Sequence, residues 1–305
     1  MGLNITKLTS VDRNGFRLYI ENLQIKQGEA ISLIGANGCG KTTLIESILG
    51  LTRTVERELT LAGCTVDMFD SDAQSKKNIG IQLQNSQFNQ AMTVSELVQM
   101  HHLLFEKQSK EIYESLKINE LCQTRYSRLS RGQRQRIDIY LAIAHKPNFI
   151  FLDEPSTGLD AQMYKELHAL LLKMKNNGAT ILMATHTAAE IAICEKILWL
   201  DNGTVKEFSD CKNMISNVLG KYKLELVCHE IHFFDEVLAL IRTETEIKVV
   251  DKHKDSLTGS IYLVSNVLDR VIEQFGVENF SKISLSECGI NDLIDFQSMG
   301  SEQIV

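Results

Sequence analysis

Two stretches of the chain carry residue types at spacings suited to phosphate chemistry. The first is Gly35-Ala36-Asn37-Gly38-Cys39-Gly40-Lys41-Thr42, followed by Thr43, and it has the form G-x-x-x-x-G-K-S/T. Glycines let consecutive backbone N–H groups turn inward around a phosphate. A helix opening at Lys41 adds the partial positive charge of its N-terminus. Lys41 would supply a cation for the β- and γ-phosphates of a nucleotide, and the Thr42 hydroxyl would be a ligand for Mg²⁺. The second stretch, Phe149-Ile-Phe-Leu-Asp153-Glu154, is an apolar run ending in two carboxylates. Asp153 would meet the Mg²⁺, and Glu154 would polarise the attacking water. Acidic residues often end strands, so this second pattern takes its weight from the loop upstream. Cys39 sits at a variable position, where it is either a small filler or a redox-sensitive thiol.

The elements around these motifs must bring them together. Ala30 to Ile34 reads as a buried strand after a turn at Gln27-Gly28, and a helix is expected from Lys41 to Leu49, stopped by Gly50. Residues 60–85 alternate like strands, and residues 93–145 are expected to be mainly helical. Thr93-Val-Ser-Glu96 and Ser130-Arg-Gly-Gln133 both have the form of capping boxes. Phe149–Leu152 and Thr180–Ala184 are continuous apolar runs, the pattern of strands buried on both faces, with an amphipathic helix between them at 161–175. Strands alternating with helices imply an α/β layer fold around a parallel sheet, whose ligands gather at the carboxyl ends of the strands. From about Gly220 the order becomes strand, helix, strand, strand, helix, strand. This is the ferredoxin-like split βαββαβ motif, with a last short helix at 290–296. We therefore expect domains at 1–220 and 221–305, the second with a small apolar core and no phosphate loop of its own.

At this point the sequence resembles the ABC transporter ATPase family. Leu129-Ser130-Arg131-Gly132-Gln133 looks like the family signature LSGGQ, with Arg131 where the family has a glycine. Gln84 matches the glutamine loop, Thr157-Gly-Leu-Asp160 the D-loop, and Thr185-His186 the switch histidine. The resemblance covers residues about 30–205. It implies a P-loop core with an antiparallel β portion and an inserted helical subdomain at about 85–145. It further implies that two chains sandwich two ATP molecules, with Ser130, Arg131, Gly132 and Gln133 reaching the partner's ATP. Under the same resemblance Gln84 joins Thr42 and Asp153 at the metal, His186 and Lys41 act with Glu154 in catalysis, and Asp160 couples the dimer. The adenine-stacking aromatic is expected at Phe16, with Tyr19 second, and either residue would serve equally as core. His101 and His102 read as a solvated or partner-facing patch.

Composition narrows the partners. A net charge of −7 argues against a general nucleic-acid binder. The seven cysteines include no CxxC pair, which argues against a disulfide framework or zinc site and for reduced thiols in a cytosol. The N-terminus has no apolar core of a signal peptide, and no window reaches about 18 uninterrupted apolar residues. The expected location is cytoplasmic, peripheral to the inner face of the membrane. There an integral permease subunit would dock near Gln84 and residues 86–105. The second ATPase would be another copy of the chain or a homologue. A single cassette followed by a small α+β extension, with Gly289-Ile-Asn-Asp-Leu-Ile294 near its end, resembles ABC-2-type exporters of drugs, antibiotics or bacteriocins. The alternative is a soluble ABC ATPase without a transporter, such as a cofactor-assembly factor. A two-cassette translation factor and a coiled-coil DNA-maintenance ATPase both fail on organisation.

Overall fold

The computed structural model describes residues 2–11, 15–84, 88–252 and 257–298. The chain divides into two compact units, Met1–Phe208 and Ser209–Val305.

Among the described residues, the first unit is built on a ten-stranded sheet. Its strands are β1 (Leu3–Val11), β2 (Arg17–Ile25), β3 (Ala30–Ile34), β4 (Thr54–Leu61), β5 (Cys64–Thr65), β6 (Ile79–Gln82), β7 (Phe149–Asp153), β8 (Thr180–Ala184), β9 (Lys196–Asp201) and β10 (Thr204–Asp210). Their order across the sheet is β5-β4-β1-β2-β10-β9-β3-β8-β7-β6. Pairing is parallel for β9–β3, β3–β8, β8–β7 and β7–β6, and antiparallel for β2–β1, β1–β4 and β4–β5.

The unbroken apolar run of β7 has a direct cause. Ile150 and Leu152 point into a core shared with the helical subdomain, while Phe149 and Phe151 point into a core shared with the antiparallel strands. A strand buried on both faces has no solvent-facing position, so apolar side chains predominate along it and a polar one needs a partner.

The helices of this unit are α1 (Lys41–Leu49), α2 (Val66–Ser71), α3 (Ala73–Lys76), α4 (Val94–Phe105), α5 (Lys110–Ser115), α6 (Arg131–Ile143), α7 (Ala161–Asn176) and α8 (Ala188–Ile191). Both capping boxes form: Thr93 with Glu96 opens α4, and Ser130 with Gln133 opens α6. The strand pattern expected across 60–85 is interrupted by α2 and α3. Asp72 explains the second of these, because its carboxylate accepts from the Gln74 and Ser75 amides and starts a helical turn. His101 is also corrected. It is buried rather than solvated, lying on the inner face of α4 with Val94 and Leu97. Of the expected docking stretch, residues 86 and 87 lie outside the described residues.

The second unit begins earlier than residue 221. It opens with α9 (Cys211–Val218), capped by Asp210 through the Asn213 amide. It continues through β11 (Tyr222–Cys228), α10 (Ile231–Glu244), β12 (Ile247–Lys252), β13 (Thr258–Leu263), α11 (Leu268–Phe275), β14 (Phe280–Glu287) and α12 (Ile290–Ser298). Among the described residues its strands form a four-stranded antiparallel sheet in the order β12-β13-β11-β14, the ferredoxin-like arrangement. Leu224, Leu226, Phe234, Val237, Ile241, Ile261, Leu263 and Val271 fill its core. Among the described residues, no helix of the chain is long and apolar enough to cross a membrane.

Candidate active site

The loop between β3 and α1 is shaped by backbone that side chains would not tolerate. Gly40, the N-cap of α1, has φ 107°, and a Cβ there would lie 2.7 Å from the Phe16 ring. The glycine therefore lets the aromatic close over the start of the helix. Lys41 is buried, and its ammonium donates to the carbonyls of Gly35 at 2.6 Å and Ala36 at 3.2 Å. Those oxygens hold the cation over the mouth of the loop, where a phosphate would replace them. Cys39 is buried as well, and burial pushes its thiol pKa up, which suits a packed filler and not a reactive thiolate.

Parallel pairing carries the second motif to this loop. Thr42 at the start of α1 donates to Asp153 Oδ2 at 2.6 Å. Asp153 is almost fully buried, and its Oδ1 has no hydrogen-bond partner. Burial raises its pKa, against the opposing hydrogen bond from Thr42. A buried carboxylate with an orphaned oxygen beside a threonine hydroxyl is a donor set that fits Mg²⁺.

Glu154 follows in a left-handed backbone conformation, φ 50°. Its Oε2 accepts from the Thr157 hydroxyl at 3.3 Å, and its Oε1 lies 3.4 Å from His186 Nε2. That approach lacks hydrogen-bond geometry, and Nε2 is buried without a partner. Burial first, and the Lys41 charge second, lower the His186 pKa, so the imidazole is held neutral.

Phe16, Asn37, Gly38, Gly40, Lys41, Thr42, Thr43, Gln84, Asp153 and Glu154 line one cleft of about 670 Å³. Phe16 thus borders the site, whereas Tyr19 is exposed on β2 and is absent from this lining. Gln84 is an exposed loop residue that lines the same cleft as both carboxylates. An adjoining cavity of about 500 Å³ shares Gln84, Asp153 and Glu154 and adds Arg131, Arg134, Gln135, Asp138 and Thr157.

The signature segment is partly occupied by its own helix. Ser130 is exposed and its Oγ accepts from the Gln133 amide, while the Gln133 side-chain oxygen accepts from the Ser130 amide. The Ser130 hydroxyl keeps its proton for a ligand. A Cβ on Gly132 would fall 2.3 Å from the Gly158 carbonyl oxygen, so the bare glycine lets α6 abut the loop after β7. Arg131 is exposed, with its aliphatic stem against Gly158. Asp160 is the N-cap of α7, accepting from the Gln162 and Met163 amides.

Sequence reasoning overlooked three supporting residues. Gln82, buried at the end of β6, accepts from the Asp153 amide at 3.2 Å and donates to the Asp153 carbonyl at 3.1 Å. Gln135 on α6 donates to the Pro155 and Glu154 carbonyls. Glu190 is buried and accepts from the hydroxyls of Thr185 and Thr187, which flank His186. A polar residue at the end of an apolar run was the only signal for Gln82.

The sequence model of the ABC transporter family matches residues 20–157. The uncharacterized ABC transporter ATP-binding protein YbbA of Escherichia coli is 30% identical over 61% of this chain and 86% of its own length. The linearmycin resistance ATP-binding protein LnrL of Bacillus subtilis is 25% identical over 76% of each chain. An Fe(3+) ions import ATP-binding protein of Fusobacterium nucleatum is also a relative, 30% identical over 70% of this chain and 60% of its own. The chain spans 61% of the length of a further relative, the uncharacterized ABC transporter ATP-binding protein YdbJ of Bacillus subtilis, at 29% identity over 61% of this chain. Among solved structures, the ATP-binding cassette MJ0796, a dimer in a post-hydrolysis state bound to ADP and Pi, superposes with a TM-score of 0.59. It is 26% identical, covering 68% of this chain and 98% of that one. The chain belongs to the ABC transporter family, as one of its ABC ATPases.

Proposed function

We propose that this chain binds ATP with Mg²⁺, hydrolyses it, and drives a separate membrane-spanning permease that exports a drug, antibiotic or peptide. One observation carries the catalytic part: Lys41, Thr42, Asp153 with its orphaned oxygen, and Glu154 line a single cleft, with His186 at 3.4 Å from Glu154. Lys41 binds the β- and γ-phosphates. Thr42 and Asp153, with Gln84 lining the same cleft, would hold Mg²⁺, which supplies charge neutralisation at the phosphates when bound. Glu154 orients and polarises the attacking water, and neutral His186 donates to the γ-phosphate. Phe16 stacks on the adenine. Ser130 and Gly132 meet the ATP of a second copy, or of a homologous ATPase, and Asp160 lies where the two chains couple.

The permease reading draws on the family and on α4, where Met100, Leu103 and Leu104 are exposed apolar side chains. Export draws on the α+β second unit, which we read as an accessory module, and on the likeness to LnrL. The chain works at the inner face of the membrane through that partner.

Lys41→Ala and Glu154→Gln test the reading together. Loss of a charge-assisted contact worth about 1.5–3 kcal/mol weakens ATP binding roughly 10- to 100-fold in the first variant. The second retains ATP affinity, loses turnover by about 10²-fold or more, and accumulates as an ATP-bound dimer that co-purifies with the permease. Normal turnover in Glu154→Gln refutes the catalytic assignment. A stable complex with soluble assembly factors and no membrane protein refutes the transport assignment.

A further inference from the structure

We infer that Gln135 is a positioning residue for ATP hydrolysis, holding the peptide units that aim Glu154 at the water. It rests on the reading of Glu154 as the group that polarises that water.

A carboxylate acts on water only from the right place, and its place is set by the backbone that carries it. Glu154 sits at φ 50°, a conformation that a non-glycine side chain leaves unless the surroundings fix it. Two side chains grip the backbone here. Gln82 of β6 takes both backbone polar groups of Asp153, its Oε1 accepting from the amide nitrogen at 3.2 Å and its Nε2 donating to the carbonyl oxygen at 3.1 Å. Gln135 takes the next two carbonyls, donating from Nε2 to Pro155 O at 2.8 Å and to Glu154 O at 3.3 Å. The Glu154 amide donates to Ala184 O at 2.9 Å, and its carbonyl also accepts from the Thr157 amide at 3.2 Å. Gln82 and Ala184 belong to the sheet. Gln135 comes from the helical subdomain.

The placement of Gln135 gives the contact a consequence. It lies just over one helical turn beyond Ser130 on α6, and Gly132 of the same helix abuts Gly158. Whatever displaces the N-terminus of α6 therefore also pulls on the carbonyls of Glu154 and Pro155. Without the donor, the left-handed residue relaxes and its carboxylate leaves the Thr157 hydroxyl and His186. The phosphate loop, built from residues 35–43, is untouched by that change. Turnover and ATP binding are thus expected to separate.

The experiment compares Gln135→Leu, Gln135→Glu and Gln135→Lys in the full-length chain, reading kcat, KM and ATP affinity. The first two keep the side chain's bulk and remove the donor; the third restores one. We expect kcat to fall roughly 10- to 100-fold in the first two. KM and ATP affinity should stay within about threefold, and Gln135→Lys should recover most of the rate. Equal losses in all three variants, unchanged kcat in the first two, or loss of ATP affinity in parallel with rate would each overturn the inference. Glu154→Gln serves as the reference. If it is inactive while Gln135→Leu and Gln135→Glu are active, only the role of Gln135 fails; if it turns over normally, the assignment of Glu154 fails and the inference with it.

Discussion

The Thr42 hydroxyl donates to Asp153 Oδ2 across 2.6 Å, joining the first turn of α1 to the last residue of β7, while Asp153 Oδ1 stays buried and unpartnered. A buried anion with one satisfied oxygen is costly unless a cation completes it. Asp153→Asn keeps the shape and removes the charge. We expect its ATPase rate to fall about 10²-fold or more, with the Mg²⁺ concentration for half-maximal rate shifted upward. A magnesium titration of both proteins at saturating ATP checks this. An unchanged half-maximal concentration would remove Asp153 from the metal site.

Gly132 is where packing and the signature meet. Its missing Cβ is what lets α6 approach the Gly158 carbonyl, since a methyl there would stand 2.3 Å from that oxygen. Gly132→Ala forces the helix away from backbone that cannot rotate aside. The expected result is a loss of stability of about 1–3 kcal/mol, with ATPase loss exceeding that of a helix-surface substitution such as Lys165→Ala. Denaturant melts and turnover measured on the same preparations decide it; wild-type values for both would show that the contact yields without cost.

The buried pair His101 and His145 predicts a pH dependence of stability. His145 Nε2 lies 3.2 Å from the Ile79 carbonyl, and the two rings approach at 3.2 Å between Nδ1 of His145 and Nε2 of His101. Phe105 stacks on both, and the Tyr140 ring lies 6.2 Å from that of His101. Burial pushes both pKa values down to about 4 from 6.5; His101 and then Lys107 add to the shift of His145 by charge repulsion, and His102 adds to that of His101. The unfolded chain takes up protons below about 6.5 that the folded pair refuses. Their stabilisation is therefore complete above about pH 6.5 and is lost as pH falls toward 4. Thermal melts at pH 7 and pH 5 should show a drop of several degrees that is smaller in His101→Phe. Equal drops would assign the acid sensitivity to other groups.

Much of the site was legible because its chemistry is local. The loop from Gly35 to Thr42 is a contiguous turn whose strand and helix are marked by their own apolar patterns, and the run Phe149–Asp153 announces a strand buried on both faces. The supports were not legible, because their partners are distant in sequence. Gln82 meets Asp153 only after β6 and β7 pair, and Gln135 meets Pro155 only after α6 packs beside the sheet. His101 is an intermediate case. Val94, Leu97, His101 and Phe105 recur every three or four residues, a stripe that marks the inner face of α4. Reading the histidines as a polar pair obscured that period. The helices α2 and α3 were missed for another reason: both are too short to show a period, and one begins at an aspartate cap.

The second unit sharpens where the chain can be cut. Gly220 looked like the boundary because the strand pattern restarts there. The compact units, however, divide at Phe208 and Ser209, within β10, and α9 falls in the second. Met214 and Leu219 are fully buried, and α9 packs against α12. A chain ending at Gly220 keeps α9 but loses α12, which leaves an apolar stripe without its cover. A chain ending at Asp210 keeps β10 whole and removes α9 with the rest of its unit. The shorter truncation product should therefore remain monodisperse and bind ATP within about threefold of the full-length chain, whereas the product ending at Gly220 should self-associate. Sedimentation and ATP titration of both proteins test the boundary. We propose that the second unit is a dimer-stabilising or regulatory module, so the Asp210 product should also dimerise more weakly with ATP when it carries Glu154→Gln. Better behaviour of the Gly220 product would return α9 to the first unit, and undiminished dimerisation would remove the proposed role of the second.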